Sequence, residues 1–318
     1  MIHPLDAAAS IALAAGPQRL KFFSNGWGDE RLIDPEPILN SPSPPVEIVW
    51  LSHRDEGPSC VVSHGTFTSP APHLPSRSRL ATVMSVSPLR STDKTVVLMP
   101  AWNEHDPKVR VAIAHRLAER GIRSFILENP YYGTRHPSHL GGQPIATVAD
   151  FMVMGGGAVI EARGILTALH DAGSTVGVAG YSMGGNTAAL TSATLDFPVA
   201  TAPLAASHSP GPVFLDGALS RGIDWNALGG RRSEGRLREA LSSVSVTNVP
   251  AKPHTSRAIV VRAANDGYIP ESATQELVDH WVGSELRVLP GGHATLVWFR
   301  KNQLADVIAD SFRRLDSM

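Results

Sequence analysis

Val178-Ala-Gly-Tyr-Ser-Met-Gly-Gly-Asn-Thr-Ala-Ala-Leu190 joins a short apolar run to a Gly-x-Ser-x-Gly pentad and then to a helix-forming stretch. A strand can turn directly into a helix only where the flanking residues lack side chains, which leaves the hydroxyl of Ser182 exposed at the tip. The pentad alone is common, and an ordinary glycine-rich turn is the alternative. Because a buried strand is predicted over 175–180 and a helix over 186–195, the order favours a nucleophile elbow.

The partners of such a serine follow it along the chain, each after a later strand. A strand over 257–264 ends in an Asn-Asp-Gly turn at Asp266, and a strand over 285–289 is followed by a Pro-Gly-Gly loop and His293. Asp266 is therefore the predicted acid, and His293 the predicted base on a loop able to swing toward the serine. Asn-Asp-Gly is also a turn signal and a loop histidine is often a surface residue, so both assignments rest on their joint spacing with Ser182.

The oxyanion of an acyl-transfer reaction needs two preorganised backbone amides. The residue after the nucleophile, Met183, is predicted to supply the first. A buried strand over 95–99 ends in a loop from which Ala101 or Trp102 is predicted to supply the second. Trp102 can equally be a packing residue under the rim of the site.

Strands and helices alternate along most of the chain, which predicts an α/β fold with a mostly parallel, doubly wound sheet flanked by helices. Two early strands have the alternation of antiparallel strands and open the sheet. The remaining elements follow in the rhythm of parallel strands and crossover helices. The predicted ranges are strands over 46–51, 59–63, 95–99, 122–127 and 199–206, and helices over 108–120 and 147–171.

The chain is predicted to divide at its proline-rich stretch. Residues 1–45 form a helical or extended segment that ends in an extended linker over 35–45, and residues 46–318 form the α/β domain. The stretch of about 207–256 is too long for a simple crossover and predicts a small helical cap. Phe214 and Trp225 have the spacing of one or two amphipathic helices there, so the cap would bring apolar side chains over the serine; plain core packing is the alternative.

The composition excludes several classes of protein. With 28 basic and 29 acidic residues, the net charge of −1 argues against nucleic acid as a partner. The single cysteine, Cys60, excludes an intrachain disulfide and is predicted to be a core residue. No His or Cys cluster has metal-ligand spacing, so neither a metal nor another cofactor is expected. The apolar stretch over 7–15 is too short to span a membrane and no other segment is predicted to do so, which favours a soluble cytoplasmic protein; the same stretch can serve as a weak membrane-surface anchor.

Several longer strings stand out along nearly the whole chain, among them Phe22-Phe-Ser-Asn-Gly-Trp-Gly28, Leu127-Glu-Asn-Pro-Tyr-Tyr-Gly133, Asp150-Phe-Met-Val-Met-Gly-Gly156 and Asp266-Gly-Tyr-Ile-Pro270. Together they resemble the α/β-hydrolase domain-containing protein 18 family. The resemblance implies an α/β-hydrolase fold and a catalytic triad that falls on Ser182, Asp266 and His293. Family members often carry a long low-complexity insertion before the acid strand, where this chain has a short loop over 242–254, and the loop after residue 99 differs from the family's glycine-rich version.

Three tyrosines are predicted at the substrate pocket. Tyr131 and Tyr132 follow a buried strand and so lie at the same sheet edge as the triad, although they can equally pack a turn. Tyr181 directly precedes the serine and is assigned to the pocket with Phe214 and Trp225. A run of three glycines at 155–157 falls inside a helical pattern, so close backbone packing is expected there in preference to phosphate binding.

The sequence therefore predicts a serine hydrolase that cleaves a carboxylic ester of a lipid-like kind through an acyl-enzyme on Ser182. An acyltransferase or a thioesterase would use the same triad, and the sequence does not separate these activities. A non-catalytic α/β-hydrolase scaffold that binds a ligand or partner is the alternative from another class. The oligomeric state stays open.

Overall fold

A nine-stranded sheet organises the protein, which we analysed as a computed structural model describing residues 2–8, 21–40, 43–55, 60–137 and 145–317. The strands lie in the order β1-β2-β3-β5-β4-β6-β7-β8-β9. Their bounds are β1 Val49–Asp55, β2 Cys60–Thr68, β3 Leu80–Pro88, β4 Lys94–Met99, β5 Arg123–Leu127, β6 Thr175–Tyr181, β7 Ala200–Leu204, β8 Ile259–Ala263 and β9 Glu285–Leu289.

Three antiparallel strands, not the predicted two, open the sheet. β1, β2, β3 and β5 pair antiparallel in succession, whereas every later pair is parallel. β3 was missed, although its residues alternate between buried and more exposed positions over most of its length. The prediction also started β1 three residues early and ended β2 five residues early, because it followed the apolar residues and stopped at the polar ones.

Helices cover both faces of the parallel strands. The first helix, α1, is described over residues 4–8. The others are α2 Glu36–Leu39, α3 Lys108–Glu119, α4 Val148–Asp171, α5 Met183–Ala193, α6 Pro210–Leu215, α7 Glu234–Ser242, α8 Glu271–His280, α9 His293–Phe299 and α10 Lys301–Asp316.

The side chains of β4 explain why the sheet is doubly wound. Val96 and Leu98 are buried in the cluster formed with α3 and α10, while Val97 and Met99 are buried in the cluster formed with α4 and α5. Successive residues of a strand point to opposite faces, so a strand covered by helices on both sides is apolar at every position. The near-continuous apolar run of β4 is a consequence of this double burial.

Helix α4 corrects the expectation that no segment is long and apolar enough to span a membrane. Its 24 residues meet that criterion by length and composition, but 78% of its most apolar stretch is buried inside the protein. The helix begins at a capping box in which Thr147 accepts from the Asp150 amide and the Asp150 carboxylate accepts from the Thr147 amide. α4 is the central helix of the core.

The proline-rich stretch packs against the body and is partly helical, whereas an extended linker was predicted over 35–45. Its residues Glu36–Leu39 form a short helix, and Ile38 lies over α4, where a Cβ on Gly156 would come within 2.6 Å of it. Further along, the Val46 amide donates to the Gly164 carbonyl at 3.1 Å. Residues 9–20, which contain most of the predicted apolar anchor, lie outside the described residues.

The stretch predicted to be a cap is built from short helical pieces. The predicted one or two helices over 210–228 are α6 and a 3-10 turn at Ala218–Gly222, and α7 lies farther along the chain. The amino-terminal Phe22 joins this region through a bridge to Ile223. Its ring also packs edge-on against Phe214, with the ring centroids 5.0 Å apart. Phe22 of the N-terminal segment therefore packs directly against the predicted cap.

Candidate active site

The turn between β6 and α5 places a serine in a strained backbone conformation. Ser182 has φ 57° and ψ −118°, a region that residues with side chains rarely adopt. The glycines that follow let the turn pack closely on neighbouring strand ends, since a Cβ on Gly184 would lie 2.6 Å from the Met99 carbonyl oxygen, and one on Gly185 2.9 Å from that of Leu204. Helix α5 starts at Met183, three residues earlier than predicted, because the strand turns into a helix at the serine itself.

A continuous chain of hydrogen bonds joins the three residues predicted as the triad. The Ser182 Oγ lies 2.9 Å from His293 Nε2, and His293 Nδ1 lies 2.8 Å from Asp266 Oδ2. The other carboxylate oxygen of Asp266 accepts from the amides of Tyr268 and Ile269, both at 2.9 Å. A carboxylate at Nδ1 fixes the tautomer in which Nδ1 carries the proton and Nε2 can accept the serine proton.

Two tyrosines hold the histidine from either side. The Tyr268 ring stacks on the His293 ring at a centroid distance of 4.9 Å, and the Tyr181 hydroxyl donates to the His293 carbonyl at 2.5 Å. Burial first, and then the charges of Asp6 and Asp266, raise the pKa of both phenols above its usual value. Tyr181 therefore stays protonated and remains a hydrogen-bond donor.

One charged residue of the site was missed by the sequence reasoning. Asp6 is fully buried, and its carboxylate accepts from the amides of Gly267, His293 and Ala294. Because it stands about 260 residues before the acid in the chain, no local pattern links it to the site.

Hydrogen bonding in the loop after β4 distinguishes the two candidates for the second oxyanion amide, Ala101 and Trp102. The Ala101 amide already donates to Glu104 Oε2 at 3.3 Å, and that carboxylate is held by Arg110 at 2.6 Å. Among the described residues, the amides of Trp102 and Met183 have no hydrogen-bond partner. Trp102 also packs against Phe22, with the ring centroids 5.3 Å apart, so both predicted roles are compatible with its position.

Comparison with known proteins identifies the family. A family model described as alpha/beta hydrolase domain containing 18 matches residues 20–245 and 230–314. The chain belongs to this family. The membership confirms the resemblance seen in the sequence, and the α/β-hydrolase fold predicted from the order of elements is confirmed as well.

Solved structures share the fold of this alpha/beta hydrolase at low sequence identity. The acetyl xylan esterase from Paenibacillus sp. R4 is 14% identical, with a TM-score of 0.62 over 92% of this chain and 98% of that one. Acetyl xylan esterase 1 from Thermoanaerobacterium sp. JW/SL YS485 is 14% identical, with a TM-score of 0.54 over 90% and 96%. Est1E from Butyrivibrio proteoclasticus, with ferulic acid bound, is 15% identical, with a TM-score of 0.50 over 73% and 96%.

A cavity of about 660 Å³ opens at the serine of this alpha/beta hydrolase. The predicted oxyanion residues Met183, Ala101 and Trp102 line it, as do two of the predicted pocket residues, Tyr181 and Phe214. The wall beyond them is mostly apolar. Its members include Ile38, Phe151, Met152, Gly155, Leu190 and Leu219 on the side of α4 and α5.

Three predicted pocket residues lie away from the cavity wall. The Tyr132 hydroxyl accepts from the Asn103 amide at 3.2 Å, so this side chain stabilises the loop after β4 and does not line the cavity. Tyr131 is buried in the core with φ 72°, and Trp225 packs beneath the Arg231 guanidinium, 5.2 Å from its ring. Position at the sheet edge was predictable, but the direction in which each ring points depends on tertiary packing.

The three glycines of α4 differ in their surroundings. A Cβ on Gly156 would meet Ile38 at 2.6 Å and one on Gly157 would meet Leu74 at 3.1 Å, as close packing requires. A Cβ on Gly155 would meet nothing within 4 Å. Gly155 lines the cavity and is the only residue of α4 between Phe151 and Leu166 that is not buried. Two glycines serve packing, and the third leaves space.

Proposed function

We propose that the protein is a serine hydrolase that cleaves carboxylic esters with an apolar acyl group, through an acyl-enzyme on Ser182. The observation that carries the proposal is the hydrogen-bond chain from Ser182 through His293 to Asp266 at the floor of an apolar cavity. A serine hydroxyl is a weak nucleophile at neutral pH. An imidazole within hydrogen-bond distance activates it by accepting the hydroxyl proton during the attack.

In the first half-reaction, His293 Nε2 takes the hydroxyl proton as Ser182 Oγ attacks the acyl carbon. The imidazolium then gives this proton to the leaving alcohol, which leaves the acyl group on the serine. In the second half-reaction, His293 takes a proton from water and the resulting hydroxide attacks the acyl carbon. The bond from that carbon to Ser182 Oγ then breaks, the proton passes from His293 to Oγ, and the carboxylic acid leaves. Asp266 keeps Nδ1 protonated and stabilises the imidazolium in both steps.

The backbone amides of Met183 and Trp102 stabilise the negative charge that develops on the carbonyl oxygen. The elbow places the Met183 amide directly after the nucleophile, which is the position such sites use. We prefer Trp102 to Ala101 because the Ala101 amide is already engaged by Glu104, whereas the Trp102 amide is unpartnered among the described residues. An amide without a protein partner can bond the oxyanion without first breaking another hydrogen bond.

The wall of the cavity favours an apolar acyl group. A volume of about 660 Å³ lies in the middle of the range of roughly 300–1,000 Å³ that small-molecule sites occupy. The side chains of Phe151, Met152 and Leu190 on the α4 and α5 side offer no hydrogen bond, so a hydrocarbon chain fits that side better than a sugar or a charged group.

Ester turnover with a matched pair of serine variants tests this function. With p-nitrophenyl esters of increasing chain length, we expect Ser182→Ala to lower kcat by about 10⁴-fold or more. Ser85→Ala, which removes a buried hydroxyl on β3 that does not line the cavity, should retain wild-type turnover. Hydrolysis that survives in folded Ser182→Ala would overturn the proposal.

A further inference from the structure

The N-terminal segment reaches both loops that carry the acid and the base. The Asp6 carboxylate accepts from the Gly267 amide at 3.0 Å, directly after Asp266. It also accepts from the His293 amide at 2.6 Å and from the Ala294 amide at 3.0 Å. One buried side chain therefore bonds the backbone on both sides of the histidine–carboxylate pair.

The glycines of these loops are independent support for this contact. A Cβ on Gly267 would lie 2.9 Å from Asp6 Cβ, and one on Gly292 would lie 2.7 Å from Asp6 Oδ2. Neither glycine has a positive φ, so their backbones do not require glycine. The missing side chains instead leave room for the whole N-terminal segment, since the nearest atoms to these Cβ positions are Ile2 Cγ2 at 2.7 Å from Gly267 and His3 Cβ at 2.4 Å from Gly292.

The contact also completes the start of helix α9, which begins at His293. The first amides of a helix have no partner within it, and the capping residue here is a glycine without a side chain to accept them. The Asp6 carboxylate takes that role from a distant part of the chain, and hydrogen bonds to a carboxylate are stronger than neutral ones. The segment is further tied to the acid loop, since the His3 amide donates to the Asn265 carbonyl at 3.0 Å.

We propose that Asp6 is a positioning residue that holds the Asp266 loop and the His293 loop at the spacing that catalysis needs. The inference rests on the proposed function of the triad. Asp6 does not line the cavity, so its removal should act on the chemical step and leave substrate binding unchanged. A misplacement of about 1 Å in a catalytic group can cost about a hundredfold in rate.

Steady-state kinetics of Asp6→Asn against a matched control test the inference. Leu5→Ala removes the neighbouring side chain, which is exposed, and keeps the carboxylate. We expect Asp6→Asn to lower kcat by between about tenfold and a hundredfold, with KM within about twofold of wild type. We expect Leu5→Ala to retain wild-type kcat, and the melting temperature of each variant is measured alongside.

A second variant keeps the test decisive if Asp6→Asn folds poorly. Gly267→Ala pushes the segment away through its new Cβ while every carboxylate stays. It should lower kcat with KM unchanged, and in the double variant with Asp6→Asn it should cost little more, because the contact is already lost.

The outcomes separate this inference from the function on which it rests. Wild-type kcat in folded Asp6→Asn, equal losses of kcat in Asp6→Asn and Leu5→Ala, or a change in KM alone would overturn the positioning role. Ester turnover that depends on Ser182 would still stand in each of those cases. Turnover that survives Ser182→Ala would instead overturn the proposed function.

Discussion

At the scale of single residues, Gly155 is placed where a side chain would fill the cavity. An internal glycine costs a helix about 1 kcal/mol relative to alanine, and at this position no neighbour lies close enough to require it. The space in front of Gly155 belongs to the apolar side of the cavity wall. Under the proposed function, the absent side chain determines how long an acyl group the cavity can hold.

We predict that Gly155→Leu shortens the preferred acyl chain. Turnover of acetyl and butyryl p-nitrophenyl esters should stay within about twofold of wild type, while kcat/KM for octanoyl and longer esters should fall by about tenfold or more, a loss of roughly 1.4 kcal/mol. The measurement is the chain-length profile of kcat/KM.

Gly235→Leu is the control for this prediction. Gly235 is also a helical glycine with nothing within 4 Å of its Cβ position, but it is exposed on α7 and does not line the cavity. An unchanged chain-length profile in Gly155→Leu, or the same shift in Gly235→Leu, would contradict the role assigned to Gly155.

The sequence supplied the residues of the candidate triad because each follows its own strand in a recognisable order. It did not supply Asp6, since a contact between residues about 260 positions apart produces no local sequence pattern. It also placed Tyr131 and Trp225 at the pocket, which they do not line. A sequence pattern predicts where a residue lies along a strand or loop, but it does not predict the direction of the side chain. Directions are decided by packing between elements.

At the scale of secondary-structure elements, the close contact between α5 and the end of β4 aligns the elbow with the loop that holds Trp102. Helix α5 can approach because Gly184 lies against the carbonyl oxygens of Met99 and Pro100. Both are backbone atoms at the start of that loop, so neither can rotate away from an added methyl group. The elbow and the loop are therefore packed against each other as one unit.

We predict that Gly184→Ala separates this unit and lowers both stability and activity. Overpacking of this kind costs about 1–3 kcal/mol of unfolding free energy, and a displaced oxyanion amide should cost about 10²-fold or more in kcat. Urea unfolding and ester kinetics measure the two effects. Gly235→Ala, in open space on α7, should be neutral or slightly stabilising. A Gly184→Ala enzyme with wild-type stability and kcat would refute the account of the elbow.

Elements with strong apolar periodicity were predicted within a few residues, as α4 and β9 show. β3 was missed because its buried positions alternate with polar ones that resemble a loop. The proline-rich stretch was predicted to be an extended linker, because proline favours extended chain. Instead, Glu36–Leu39 form a short helix whose Ile38 packs on α4. Tertiary contacts outweighed local propensity in that case.

At the scale of the whole molecule, two buried histidines make stability depend on pH. Burial lowers the pKa of His254, which also bonds the Ser192 carbonyl at 3.1 Å. Burial likewise lowers the pKa of His208, and the nearby Glu276 only partly opposes this. Below the ordinary value of about 6.5, the unfolded chain therefore binds protons that the folded protein resists binding.

We predict that the unfolding free energy falls as the pH drops from about 6.5 toward 5. Carboxylates with lowered pKa values, such as Asp216 and Glu285, lose their contribution only below about pH 4.5, so this window belongs to the histidines. Urea unfolding across the window measures the slope. His254→Gln should flatten it, whereas His64→Gln, at an exposed position on β2, should not. Stability that is flat in wild type between pH 5 and 6.5 would contradict the prediction.

The central claim, that Ser182 is the activated nucleophile of an assembled triad, is tested most directly by a fluorophosphonate probe. Intact-mass and peptide mass spectrometry of the labelled protein should find one adduct, located on Ser182, and a folded His293→Gln variant should label far more slowly because the hydroxyl keeps its proton. Folded wild-type protein that takes up no probe, or takes it up at another residue, would contradict the account.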